Sequence, residues 1–177
     1  MMKSIRVFSI VVLVGLLACG VNEEQRLYLD KIDSLQTVLD SAENQYLSLD
    51  TNKLYQSFDV LNTNMARLQT IDTVLSDTVK IYAFMQKTFK RFIEDHREIR
   101  EEIAYSKDQL ATLKKDIRKG RLPDDLMQEY YHTEEVALGR LTHKMWFNSE
   151  SVAHQLQSFD YLNEHIEGII HRYEKNQ

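Results

Sequence analysis

The chain has 177 residues, with 22 basic and 27 acidic side chains and a formal net charge of -5. An acidic protein with only one short basic cluster is a poor candidate for binding nucleic acid, so we exclude that class. One Pro, five Gly and one Cys exclude a disulfide scaffold and a collagen-like repeat. The apolar fraction of 43% is too high for general disorder, and the composition favours a helical protein.

The first 18 residues have the features of a secretory signal peptide. Lys3 and Arg6 precede an apolar run over residues 7–17. That run is shorter than the roughly 20 apolar residues that a bilayer-spanning helix needs. We therefore predict a cleaved signal peptide over residues 1–18.

The residues at the end of this segment, Leu16-Leu17-Ala18-Cys19, resemble the lipobox of bacterial lipoproteins. In those proteins the peptide is cut before the cysteine, which then carries acyl chains, and each buried methylene of such a chain adds about 0.8 kcal/mol of membrane binding. The resemblance implies lipid attachment at Cys19 and a short lipidated tether over residues 19–22. Gly20 stands where inner-membrane lipoproteins of enterobacteria have Asp, so the resemblance favours the outer membrane. An ordinary signal peptide cut nearby is the alternative.

Apolar residues in the rest of the chain recur at alternating steps of three and four, which is typical of amphipathic helices packed through a seam. A slip of one residue near Asp50, which is a possible N-cap, predicts a helix over residues 23–71 with a possible break near residue 50. The first series is Tyr28, Ile32, Leu35, Leu39, Ala42, Tyr46 and Leu49, and it resumes at Leu54, Phe58, Leu61, Met65 and Leu68.

Two further series predict helices over residues 76–119 and 123–175. Capping residues over 72–77 predict a turn before the second helix. Gly120 suits the left-handed residue after a helix, and Pro123 suits the start of the next, so a hairpin is expected between them. The second series is Leu75, Tyr82, Met85, Phe89, Phe92, Ile99, Ile103, Leu110, Leu113 and Ile117, and the third is Tyr131, Leu138, Leu141, Met145, Val152, Leu156, Phe159, Leu162, Ile166, Ile169 and Tyr173.

These patterns predict an all-α fold after the signal peptide. Three helices of about 40 to 50 residues joined by short loops pack as an elongated antiparallel three-helix bundle of coiled-coil type, here over residues 23–177. At 1.5 Å per residue, such a rod is about 60 to 75 Å long.

The stretch from Tyr105 to Ile117, followed by Gly120 and residues 130–135, resembles small all-helical lipoproteins of Bacteroidota. Those proteins also begin with a lipobox, and a segment similar to Ile32-Asp33-Ser34-Leu35 follows it. The resemblance implies a lipoprotein, and it carries over no functional residue beyond Cys19.

The sequence offers little catalytic or metal-binding chemistry. Glu129 and His132 form the chain's single Glu-x-x-His motif of the kind found in di-metal helix bundles, which need two copies. No zinc-ligand spacing and no Gly-rich phosphate loop appears. We therefore expect no enzyme activity, no catalytic residue, no metal site and no cofactor.

Four of the six histidines recur every 11 residues, about three helical turns plus 20 degrees, so they share one side of the last helix, opposite its seam. Three sizeable apolar residues share this histidine stripe, whereas a helix that is apolar on one side only is polar opposite. We predict a second contact face, either inside the chain's own bundle or against a partner, with plain solvated surface as the alternative. Protonation of imidazoles near pH 6 is expected to weaken a partner interface there. The stripe comprises His132, Val136, His143, Phe147, His154, Tyr161 and His165.

Five basic residues cluster at the predicted hairpin tip. Cations at the end of a helix complement its dipole, which explains them without any partner. The other interpretation is contact with an anionic headgroup or cell-wall surface. The cluster comprises Lys114, Lys115, Arg118, Lys119 and Arg121.

The sequence thus predicts a non-enzymatic, membrane-anchored helical envelope lipoprotein that acts as a spacer or a protein-docking scaffold. Its expected partners are the membrane, through acylated Cys19, and an envelope protein or a second copy. The outer membrane is favoured, and the side of that membrane stays open. The alternative is a helical bundle that binds a small molecule or metal, suggested by Glu129 with His132 and by the many aromatic residues.

Overall fold

The fold is described from a computed structural model over residues 21–71 and 76–175. In those parts the regular secondary structure is entirely helical, which confirms the prediction of an all-α protein. The predicted signal peptide, Cys19 and most of the predicted turn over residues 72–77 lie outside the described residues. The helices are α1 (Glu23–Leu47), α2 (Thr51–Gln69), α3 (Asp77–Arg118) and α4 (Asp124–Glu174).

Side chains cap the first three helices by accepting hydrogen bonds from free backbone N–H groups. At α1, Asn22 Oδ1 accepts from the N–H of Gln25 at 2.7 Å, and the Gln25 side chain accepts from the N–H of Asn22 at 3.0 Å. Asp50 caps α2 and Ser76 caps α3 in the same way. α4 has no side-chain cap and instead follows directly on Pro123.

The first half of the chain forms two helices, α1 and α2, separated by residues 48–50. Asp50 ends the interruption because its carboxylate accepts from the N–H of Lys53 at 2.9 Å. α1 and α2 each pack on both α3 and α4. The second helix therefore continues along the same two neighbours and does not fold back on the first.

Ion pairs between helices show the direction in which each one runs. Lys114 near the end of α3 pairs with Asp33 near the start of α1, so these two helices are antiparallel. Lys53 near the start of α2 pairs at 2.9 Å with Asp160 in the second half of α4. A second ion pair joins Arg67 near the end of α2 to Glu174 at the end of α4. Because both partners of this pair lie further along their helices than those of the first, α2 and α4 are parallel.

The α3–α4 hairpin consequently lies beside the beginning of α1. Gly120 in this hairpin has φ +60°, a left-handed conformation that glycine adopts without steric cost. A Cβ atom placed on Gly120 would lie 3.8 Å from Nε2 of Gln25 in the first turn of α1. The chain's only described hairpin and its first described helix thus share one end of the molecule.

The core is a continuous line of apolar side chains from all four helices. Every predicted seam residue that lies in the described ranges is buried or half-buried. Their burial is the main source of stability for helices of this length, because a long amphipathic helix depends on packing of its apolar face. The fully buried side chains with the largest volumes are Tyr46, Tyr82, Phe89, Phe92, Ile32, Leu39, Leu54, Leu61, Met85, Ile99, Leu110 and Ile117.

Candidate functional site

The histidine stripe lies on the outer side of α4, and all seven of its residues are exposed. Among its apolar members, Val136 is 38% exposed, Phe147 47% and Tyr161 74%. The opposite side of the same helix is buried at Leu138 and Met145. The stripe therefore lies outside the chain's own bundle, since α1 to α3 pack mainly on the seam side of α4.

Two aromatic contacts give this surface local order. The guanidinium of Arg91 on α3 lies over the ring of Phe147, 5.4 Å from its centroid, in cation–π geometry. The ring of His143 stacks on Trp146 with their centroids 6.0 Å apart. Trp146 is 51% exposed and was not part of the predicted stripe. Trp146 belongs to neither the seam series nor the 11-residue repeat, and a large aromatic residue at such a position is the sequence feature that could have identified it. We call the stripe together with Trp146 the outer face of α4.

Seven exposed charged residues of α4 lie on or beside the outer face: Asp125, Glu129, Glu135, Arg140, Glu150, Glu164 and Arg172. At 100 degrees per residue they fall within the stripe or at its edge. Five carboxylates and two guanidinium groups give this surface a formal charge of -3 when its imidazoles are neutral.

Glu129 and His132, the pair that suggested a metal site, are both exposed. Nδ1 of His132 lies 3.4 Å from the carboxylate of Glu135, one turn further along the same helix. In residues 21–71 and 76–175, no three His, Cys, Asp or Glu side chains come together as potential ligands of one metal ion. The sequence spacing therefore does not become a multidentate site in the part of the chain that is described.

The basic cluster at the hairpin is partly neutralised by neighbours. Lys114 pairs with the Asp33 carboxylate on α1, and Arg121 pairs with Asp116 at 3.1 Å. The other three members of the cluster are exposed at the end of α3. These three and the exposed Arg121, which is paired with Asp116, are the members of the cluster that a surface such as a lipid headgroup layer could reach.

The same end of the molecule also carries four carboxylates. Glu23 and Glu24 lie in the first turn of α1, and Asp124 and Asp125 in the first turn of α4. Each pair is favoured there by the positive end of its helix dipole. The hairpin end is consequently a mixed-charge surface and not a purely basic one.

A buried aromatic cluster joins α1 to the middle of α3. The hydroxyl of Tyr46 hydrogen-bonds to Nδ1 of His96 at 2.9 Å, and the His96 ring stacks on the rings of Tyr46 and Phe92. Burial raises the pKa of Tyr46 well above its usual range. Burial and the nearby Arg100 lower the pKa of His96 below its ordinary value of 6.5. Both shifts fit a neutral His96 whose Nδ1 accepts a hydrogen bond from the Tyr46 hydroxyl, which keeps its proton.

This cluster makes the protein's stability dependent on pH. Because the folded state lowers the pKa of His96, it binds a proton less readily than the unfolded chain, so stability is full above pH 6.5 and falls as the pH drops below it. We expect the free energy of unfolding to fall more between pH 7.5 and 5 in the wild type than in His96→Gln, measured by denaturant titration. Equal losses in the two proteins would show that His96 does not carry the effect.

A second polar contact lies nearer the other end, between α2, α3 and α4. The Tyr82 hydroxyl donates to Oδ1 of Asn163 at 2.6 Å, and Nδ2 of Asn64 donates to the same oxygen at 3.0 Å. Asn64 is a polar residue between the seam positions Leu61 and Met65, and it is buried. Such a satisfied polar network favours one relative position of the three helices, because shifting any of them leaves a buried polar group unpaired.

The clefts on the surface are open and shallow. One of about 400 Å³ lies beside the α1–α2 interruption and is lined by Asp50, Lys53, Ser149 and Glu150, among others. Another of about 190 Å³ lies between α3 and α4 next to Tyr130 and Glu134. Burial raises the pKa of Glu134. At the first cleft, the hydroxyl of Ser149 donates to the backbone oxygen of Trp146 at 3.1 Å.

None of the four described helices contains an apolar stretch long enough to cross a lipid bilayer. No protein-family model, curated protein or solved structure matches this chain.

Proposed function

We propose that this protein is a non-enzymatic helical lipoprotein of the bacterial cell envelope, anchored through acylated Cys19 and presenting a docking surface to another protein. The observation that carries the proposal is the motif Leu16-Leu17-Ala18-Cys19. It places the only cysteine of the chain directly after an apolar core of signal-peptide length. Gly20 in place of Asp favours the outer membrane, by resemblance to enterobacterial lipoproteins.

The small number of residues between Cys19 and the first helix supports a stiff attachment. α1 begins at Glu23, and Asn22 is already engaged in its capping box. Few residues are left for a flexible tether, so an acylated Cys19 would hold this end of the molecule close to the lipid surface. The α3–α4 hairpin, which lies at the same end, would then also face the membrane.

The proposed scaffold is an elongated antiparallel three-helix rod in which α1 and α2 together form the first leg. Its length follows from α4, whose 51 residues rise about 75 Å. A rod of this kind suits a spacer because it carries its far end well clear of the lipid headgroups. The exposed aromatic residues on the outer face of α4 support the docking role.

Attachment of lipid to Cys19 can be tested by feeding expressing cells an alkyne analogue of palmitate and attaching a fluorophore to the purified protein. We expect the wild type and the control Val21→Ala, which keeps the cysteine, to become labelled. Cys19→Ala should carry no label, because its only acylation site is gone. Labelling that persists in Cys19→Ala, or a wild type that takes up no label, would contradict the proposal.

A further inference from the structure

We propose that the outer face of α4 binds the same face of a second copy of this chain, with the two α4 helices antiparallel. The inference deepens the docking role proposed above by naming the partner. It rests on the exposure, charges and spacing of residues on one helix. Acylation of Cys19 is not needed for it, so the two proposals can fail separately.

The positions of charged groups along the outer face allow two copies to pair in one orientation. Asp125 and Glu129 lie near the start of α4, and Arg172 lies near its end. An antiparallel pair brings Glu129 of each chain beside Arg172 of the other and forms two ion pairs. A parallel pair would instead place Glu129, Arg140 and Arg172 each against its own copy, and like charges in contact are unfavourable.

The same register matches the exposed aromatic and imidazole groups. With the two-fold axis between Glu150 and Ser151, Phe147 of one chain faces His154 of the other, and Arg140 faces Tyr161 in a position for cation–π contact. Glu150 of one chain lies close to Glu150 of the other near the axis. The His154 imidazole of each chain, one turn along the helix, can donate a hydrogen bond to these carboxylates. Three kinds of favourable contact therefore follow from one register.

This arrangement explains why a glycine stands at position 139 inside α4. A glycine inside a helix costs about 1 kcal/mol relative to alanine. Within the chain nothing requires this one, since a Cβ atom on Gly139 would meet no atom within 4 Å. In the proposed register Gly139 lies next to Arg140, which faces Tyr161 of the second copy, and the Tyr161 ring is 74% exposed in the single chain. The missing side chain leaves room for that ring against the helix backbone.

The available area is sufficient for a specific dimer. From Glu129 to Arg172 the helix rises about 65 Å, and a contact strip about 10 Å wide covers roughly 650 Å² on each chain. The total is near the lower end of the roughly 1,200 to 2,000 Å² buried in stable interfaces. We therefore expect a dimer that dissociates on dilution.

Antiparallel pairing also places the two α1 starts at opposite ends of the dimer. Two copies anchored at Cys19 in one flat membrane would point the same way and could not pair along this face. Copies anchored in two facing membrane surfaces could pair. If each chain is anchored through Cys19 as proposed, the dimer joins two facing membrane surfaces.

The orientation can be measured as a distance between two spin labels, one on each chain. The full chain carries Cys19→Ala, which removes the native thiol and any acylation, and Glu135→Cys, an exposed position at the edge of the face. Antiparallel pairing places the two labels about 45 Å apart along the helices, whereas parallel pairing brings them within about 25 Å. A distance near 45 Å is expected. A short distance, or a protein that stays monomeric at high concentration, would overturn the proposal.

Two sets of variants test the contacts themselves by sedimentation. Phe147→Ser combined with Tyr161→Ser should abolish the dimer, while Phe84→Ser, which alters an exposed phenylalanine on α3, should leave it intact.

Glu129→Arg should weaken the dimer at least tenfold, and adding Arg172→Glu to the same chain should restore it. Failure of this charge exchange to restore pairing would exclude the proposed register. A monomer throughout would leave the face to a different envelope protein.

Discussion

Phe92→Ala is expected to lower the free energy of unfolding by about 3 to 5 kcal/mol, the usual cost of truncating a fully buried phenylalanine. Phe92 is 2% exposed, and its ring lies 5.5 Å from that of Tyr46 and 5.3 Å from that of His96. The substitution leaves a cavity where α1 meets α3 and removes both ring contacts. Denaturant unfolding followed by circular dichroism at 222 nm measures the loss.

The matched control for this substitution is Phe84→Ala on the same helix. Phe84 is 64% exposed, so we expect its truncation to change stability by less than about 0.5 kcal/mol, as for most surface positions. Both changes remove the same atoms from α3, and only burial differs. Similar losses in the two variants would contradict the packing described for the middle of the molecule.

The seam positions could be predicted from sequence because one physical rule determines them. A helix repeats about every 3.6 residues, so apolar residues at steps of three and four must share one side, and burying that side is strongly favourable. Ile99, Ile103 and Leu110 follow this rule, and all three are buried. Local signals also identified the hairpin, because Gly120 has the positive φ that its position after a helix requires.

Interactions between helices were less accessible to sequence reasoning. Asn64 and Asn163 resemble surface residues when each is considered alone, and their hydrogen bond depends on the relative positions of α2 and α4. The same holds for Asp33, which neutralises Lys114 only because α1 and α3 are antiparallel. Periodicity shows which side of a helix is apolar, but it does not show which polar groups a neighbouring helix brings.

The outer face of α4 shows the limit of periodicity in a different way. The 11-residue repeat correctly identified one side of the helix, since His132, His143, His154 and His165 are all exposed on it. Whether another helix of the same chain covers that side depends on how many helices pack together and where. Trp146 was missed because it lies at the edge of the repeat.

Removal of the acylated cysteine should convert the protein from membrane-bound to soluble. The mixed charges at the hairpin end favour only weak lipid contact. Acyl chains bind a membrane far more strongly, at about 0.8 kcal/mol for each buried methylene. Cys19 is the only cysteine that could carry them. Val21→Ala serves as the control because it leaves the motif up to Cys19 unchanged.

The central claim, that this protein is a rod anchored to a membrane by Cys19, is tested most directly by fractionating cells that express the wild type or Cys19→Ala. Membranes are sedimented and washed with high salt and then with carbonate, which remove proteins held only by charge or by other proteins. We predict that the wild type and Val21→Ala stay in the washed membranes, while processed Cys19→Ala, freed of its signal peptide, appears in the soluble fraction. Wild-type protein in the soluble fraction, or processed Cys19→Ala that remains in the washed membranes, would contradict the account.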